Sequence, residues 1–235
     1  MLTPHLRRLY EKGYRTDLIC RHFVEPSGLL AACPYVDKLI GVENPWKSRL
    51  GFAKSTAAIY RKFERLRGGY DWSGASPHVL HRTDKTINKI DMTSKELNID
   101  LRDKRLEVFI PKTAEKEASK YMNGDHIFVH TMPEPHLYHA WDATQWIREN
   151  LPPLRVINTG YGAEYFEAFD DINTAFVLAR EAMYRVLSSS VFVFACEAMS
   201  VVIDVVNYGR VDRKCLNVLD QSRILHIREA GKWIR

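Results

Sequence analysis

Three strand-to-helix junctions carry the residue types that could do chemistry. The first runs from Thr131 to Trp141 and holds His136 and His139. With Thr131, these imidazoles could meet an anion at the N-terminus of the following helix. A surface loop with scattered histidines accounts for them equally well. The second is Thr159-Gly-Tyr-Gly162. Gly160 and Gly162 let a ligand approach the backbone, and Tyr161 could stack on a nucleobase. An ordinary β-to-α turn is the plainer account. The third is Ala195-Cys-Glu-Ala-Met-Ser200, read as a strand running straight into a helix. Free amides at Glu197, Ala198, Met199 and Ser200 would then face a bound phosphate, aided by the helix dipole. Glu197 could accept hydrogen bonds from sugar hydroxyls. The alternative is that Glu197 and Ser200 only cap the helix. Ligands of open α/β sheets sit at the carboxyl ends of strands, which is why these junctions are singled out.

Other chemistries are missing from the sequence. It has no Walker loop, GxGxxG, HExxH or GxSxG, which argues against P-loop kinases, fingerprinted dinucleotide enzymes, zincins and α/β-hydrolases. Cys20, Cys33, Cys196 and Cys215 form no CxxC pair and have no histidine at zinc-finger spacing. They read as small buried hydrophobes of a reducing compartment, so a cytoplasmic protein is expected. No metal and no cofactor is expected either.

The elements that must position these junctions alternate between strand and helix, the pattern of an α/β protein with mostly parallel sheets. Thr3-Pro4 opens a helix that Gly13 stops. Strands are expected at 17–23 and 36–42, a short helix at 27–33, and an amphipathic helix at 52–67. A helix at 83–97, a strand at 105–111 and a helix at 114–121 follow. Then come a strand at 125–131, a helix at 141–150, a strand at 154–160 and a helix at 173–187. A strand at 190–195 and a buried helix at 197–208 end the clear pattern, and 214–219 could be a last strand. The module boundary is placed within 112–124, dividing the chain into 1–118 and 119–235.

The 235 residues are 46% hydrophobic and 27% charged, as in an ordinary globular protein. Disordered and collagenous classes are thereby excluded. No apolar run approaches a membrane span, and the first residues do not form a secretory signal. The net charge of +5 is uneven: residues 1–120 carry +8 and residues 121–235 carry −3. A basic first half could hold a phosphorylated glycolipid, a membrane surface or nucleic acid. No aromatic-basic readout motif supports nucleic acid.

In this order the segments resemble the ADP-heptose:lipopolysaccharide heptosyltransferase family, glycosyltransferases of GT-B architecture. Leu2-Thr-Pro-His-Leu-Arg-Arg-Leu9 looks like its "TPxLRxL" helix, and Cys33-Pro-Tyr-Val-Asp-Lys-Leu-Ile40 like its "NPxVDxVI" segment. The stretch from Thr131 to Trp146 looks like "KxWPxExW". Residues 178–209 look like the last donor-domain unit, "LxExAxLxxxxxxVxxDSGxxHLAxALG". The resemblance implies two Rossmann-like parallel-sheet modules, the first truncated. It implies transfer of a sugar from a nucleotide-diphosphate donor to a phosphorylated saccharide or glycolipid acceptor of the lipopolysaccharide type. The protein would then work in the cytoplasm or at the inner face of the membrane. Donor-binding positions would be Thr131, His139, Gly160, Tyr161, Glu197, Ala198, Met199 and Ser200.

The departures are specific. The family's first strand and "GDxLxxTP" loop would precede Met1, so the aspartate that the resemblance implies as catalytic base has no match here. The lysine that helps neutralise donor phosphates falls at His139. The "DSGxxH" loop is set against Cys196-Glu-Ala-Met-Ser-Val201, with Ala198 or Met199 for its glycine and an aliphatic residue for its histidine. A catalytically inactive GT-B-fold binding or assembly module is the rival reading, and a start codon placed too late is a third. A parallel sheet lacking its first strand would leave 17–23 as an exposed edge or pair it with a second copy in a homodimer.

Overall fold

The computed structural model describes residues 3–21, 28–42, 49–70, 89–130, 143–159, 172–188, 191–207 and 225–227. The chain forms two compact units, residues 1–105 and 106–235.

In the first unit, α1 (Thr3–Glu11) buries Leu6 and Leu9 along one stripe. Pro4 suits the first turn because that turn needs no amide donor there. The helix ends in a Schellman motif: the Tyr14 amide donates to the Leu9 carbonyl at 3.1 Å and the Gly13 amide to Tyr10 at 2.9 Å. Gly13 sits at φ +84°, which favours a residue without a side chain. Strands β1 (Asp17–Arg21) and β2 (Lys38–Val42) are parallel, with Asp17 opposite Lys38. Helices α2 (Arg49–Leu66) and α3 (Lys89–Leu97) follow. Leu9, Leu97 and Ile99 pack together, joining α1 to the end of α3. His5 Nε2 lies 3.0 Å from Ser94 Oγ, whose hydroxyl donates to the Ile90 carbonyl.

Two expectations fail in this half. Residues 28–33 form successive turns, not a helix. Gly28 takes a left-handed φ of +70°, and Pro34 forecloses continuation. Residues 105–111 have no regular secondary structure although Leu106 is buried, and no strand pairs with them among the described residues. Alternation marks a half-buried chain; a strand also needs a hydrogen-bonded neighbour.

The second unit is a five-stranded parallel sheet in the order β4-β3-β5-β6-β7. Its elements are α4 (Lys112–Ser119), β3 (His126–His130), α5 (Ala143–Asn150), β4 (Arg155–Asn158), α6 (Ile172–Glu181), β5 (Tyr184–Ser188), α7 (Val191–Ala198), β6 (Val205–Asn207) and β7 (Leu225–Ile227). Alternation along β3 builds two faces. Ile127 and Val129 pack with Ile147 of α5. Phe128 faces the other way, its ring 5.2 Å from Phe192 of α7, which in turn meets Phe176 of α6 at 5.3 Å. Helices thus cover both faces, as a buried parallel sheet requires.

The compact units meet between Arg105 and Leu106, and α4 packs on α6 within the second unit. The reading of 173–208 was one element out of step. Helix α6 ends at Glu181, residues 184–188 are the strand, 191–198 are helix and 205–207 are strand again. Val191-Phe-Val-Phe-Ala195 has strand-forming residue types, yet short apolar runs do not distinguish a strand from a buried helix. Strand β7 was not foreseen, and 214–219 lies outside the described residues. Among the described residues, no helix is long and apolar enough to cross a membrane.

Candidate functional site

The strand order fixes where a ligand would lie. From β3 the chain crosses to β4 on one side, then returns to β5 on the other. The order therefore switches direction between β3 and β5, and open α/β sheets bind ligands beyond the carboxyl ends of the strands at such a point. Those ends are His130 and Ser188, with Thr159 just past β4.

Three side chains are brought together there. His130 Nδ1 lies 3.2 Å from Thr159 Oγ1. The Thr159 hydroxyl donates to the Val129 carbonyl at 3.3 Å, and the Thr159 amide reaches the same carbonyl at 2.9 Å. The imidazole is tilted against the Phe192 ring, centroids 4.4 Å apart. Burial pushes the His130 pKa down to about 4, against a weaker opposing pull from the Thr159 backbone. His130 is therefore neutral at physiological pH. Helix α7 begins at Val191, shortly after Ser188, so its positive dipole end lies at the carboxyl edge.

The sequence-derived positions fare unequally. Thr131, His136, His139, Gly160, Tyr161 and Gly162 lie outside the described residues. Glu197, Ala198, Met199 and Ser200 are described, and they stand at the wrong end of the helix. The Val201 amide donates to the Cys196 carbonyl and the Ser200 amide to Glu197, both at 3.0 Å, with Ser200 at φ +57°. This is a Schellman terminus. The amides there are spent on carbonyls of the preceding turn and the negative end of the dipole gathers, so no free amides await a phosphate at Glu197. Because α7 runs back across the sheet, these four residues lie toward its amino edge.

That edge is held structurally. The buried Arg185 guanidinium donates from Nε to Ala179 O at 2.5 Å, from Nη2 to Arg180 O at 2.6 Å and from Nη1 to Val202 O at 3.1 Å. The Arg185 amide donates to Asp204 Oδ2 at 2.7 Å. His126 Nε2 bonds the Leu178 carbonyl at 2.9 Å. Glu197 Oε2 is buried with no hydrogen-bond partner among the described residues, and burial raises its carboxyl to about 7. Burial likewise pushes the Cys196 thiol up to about 12, so it is an inert packing group. Among the described residues, no cluster of three or more histidine, cysteine or acidic side chains could hold a metal.

Sequence reasoning missed His130 and Ser188. The available signal was period two: His126, Phe128 and His130 share a face, and His130 is the last on it before the carboxyl edge.

No protein-family model matches the sequence, and comparison with curated proteins gives no match. Among solved structures, the chain is similar to the crystal structure of a glycosyl transferase family 9 protein from Veillonella parvula. The TM-score is 0.62 at 13% identity, over 99% of this chain and 82% of that one. At that identity the likeness is one of fold: an α/β, GT-B-like architecture with parallel sheets.

Proposed function

We propose that this chain is a glycosyltransferase-like protein that moves a sugar from a nucleotide-diphosphate donor to a saccharide acceptor of the lipopolysaccharide type. The observation that carries the reading is the β4-β3-β5-β6-β7 order, which switches direction beside the strand that leads into α7. The fold likeness to a family 9 glycosyl transferase supports it. An acceptor hydroxyl oxygen would bond to the anomeric carbon as the bond from that carbon to the diphosphate breaks. The acceptor hydroxyl's proton passes to solvent, and the nucleoside diphosphate leaves with the electron pair. Amides at the start of α7 would stabilise the charge that develops on the leaving group. Thr131 directly follows His130 and Gly160 directly follows Thr159 in the sequence, so both stay in the proposed donor site with His139 and Tyr161. Glu197, Ala198, Met199 and Ser200 leave it. The basic first half, net +8 over residues 1–120, would attract a phosphorylated acceptor.

The test is titration calorimetry with a panel of nucleoside diphosphates and nucleotide sugars, followed by assay for nucleoside diphosphate release with a phosphorylated glycolipid. Saturable binding with release on adding acceptor supports transfer. Binding without release identifies a non-catalytic binding module. No binding at millimolar concentration overturns the reading.

A further inference from the structure

The same site says what kind of ligand group His130 can recognise, and this step rests on the nucleotide-sugar reading above. Thr159 presents its Oγ1 to the imidazole, 3.2 Å from Nδ1. Thr159 Oγ1 also lies 3.3 Å from the Val129 carbonyl, which can only accept. With the hydroxyl donating to that carbonyl, the ring brings the hydrogen to Oγ1 and its proton is assigned to Nδ1. Nε2 is left as a lone-pair acceptor. Among the described residues, Thr159 alone hydrogen-bonds this ring, and no charged group acts on it. Phe192 holds it from one side, and Leu187 of β5 lies opposite in register.

We infer that His130 is a specificity-determining residue whose Nε2 accepts a hydrogen bond from an O–H or N–H of the bound donor. It reads a neutral hydrogen-bond donor on the sugar or nucleoside, not the charge of the diphosphate. The diphosphate oxygens of a nucleotide sugar are ionised at physiological pH and only accept, so they cannot satisfy a neutral Nε2. The ring is fixed before the ligand arrives, which lowers the ordering cost of binding. Burial keeps it neutral well below physiological pH.

The experiment compares wild type with His130→Phe, which keeps the aromatic stack and removes the acceptor, and with His130→Gln, which restores an acceptor oxygen. Folding is checked by circular dichroism. Calorimetry uses nucleoside diphosphates and their nucleotide sugars. The pH series uses only the sugars, because a terminal phosphate itself titrates near about 6. The expected results are binding about tenfold weaker in His130→Phe, largely regained in His130→Gln, and wild-type affinity flat between about pH 5.5 and 8. Equal loss on diphosphate and sugar places the recognised group on the nucleoside; loss on the sugar alone places it on the sugar. Nitrogen NMR of the wild-type ring should show Nε2 unprotonated and shifting on ligand addition, whether or not the variants fold. Affinity that rises on acidification, unchanged binding by His130→Phe, or an unprotonated Nδ1 overturns the assignment alone. No nucleotide binding by wild type overturns the nucleotide reading and this assignment with it.

Discussion

Arg180 Nη1 stands 3.2 Å from Glu115 Oε1, tying α6 of the sheet to α4, the helix that precedes it. Both side chains are substantially exposed, so the pair marks the contact more than it stabilises it. The stabilising part lies beneath, where Ala114 and Ala118 of α4 are buried. Their small side chains bring α4 close to α6.

Enlarging that contact should cost more than breaking the ion pair. Ala118→Leu forces extra methyl groups into packed space and should destabilise by about 1–3 kcal/mol. Arg180→Ala should cost under about 1 kcal/mol. Urea denaturation of the two variants checks the order, and the reverse order would mean that the ion pair, not the alanine packing, holds α4 to α6.

Arg185 should be irreplaceable. Its fork satisfies carbonyls at the end of α6 and in the loop before β6. Arg185→Met leaves those carbonyls buried and unpaired, and a loss of about 3 kcal/mol is expected. Arg185→Lys should recover only part of it, since a single ammonium cannot reproduce the planar fork. Thermal melts of both variants measure this.

Much of the second unit was legible because its signals were redundant. His126–His130 and Arg155–Asn158 are strand-like in composition and bounded by turn residues, and the structure keeps them as β3 and β4. Gly13 marked a helix end that its φ of +84° explains. Legibility failed where one signal served two structures. Val191–Ala195 reads as a strand by residue type and is a helix because it packs Phe192 against Phe128 and Phe176. That single error set Glu197 at the start of a helix, whereas it lies in the last turn of α7, whose start is Val191. Ser200 offered no warning, because a left-handed C-terminal position usually advertises itself with glycine or asparagine. Asn98, at φ +51° after α3, does advertise it.

His130 should make the protein acid-sensitive. Its folded pKa of about 4 lies below its ordinary value of 6.5. Its contribution is fully present above 6.5 and is lost as pH falls toward 4, because the unfolded chain takes up the proton first. The loss is at most about 3 kcal/mol. Wild type minus His130→Phe, measured by denaturant unfolding across that window, should trace it. A difference that does not change with pH would show the ring to be solvated.

Glu197 should act with the opposite sign. Burial raises its carboxyl from 4.5 to about 7, and the carbonyl-rich end of α7 also disfavours a negative charge. Its contribution is therefore fully present below pH 4.5 and lost as pH rises through about 7. The windows of His130 and Glu197 overlap, so wild-type stability should change less on acidification than either group alone would require. Glu197→Gln keeps the shape and removes the titration. It should leave stability nearly unchanged at about pH 4 and raise it at about pH 8, where the wild-type carboxylate is ionised. Unfolding at the two pH values measures the difference. A Glu197→Gln variant less stable than wild type at the higher pH would mean that the carboxylate is paired there.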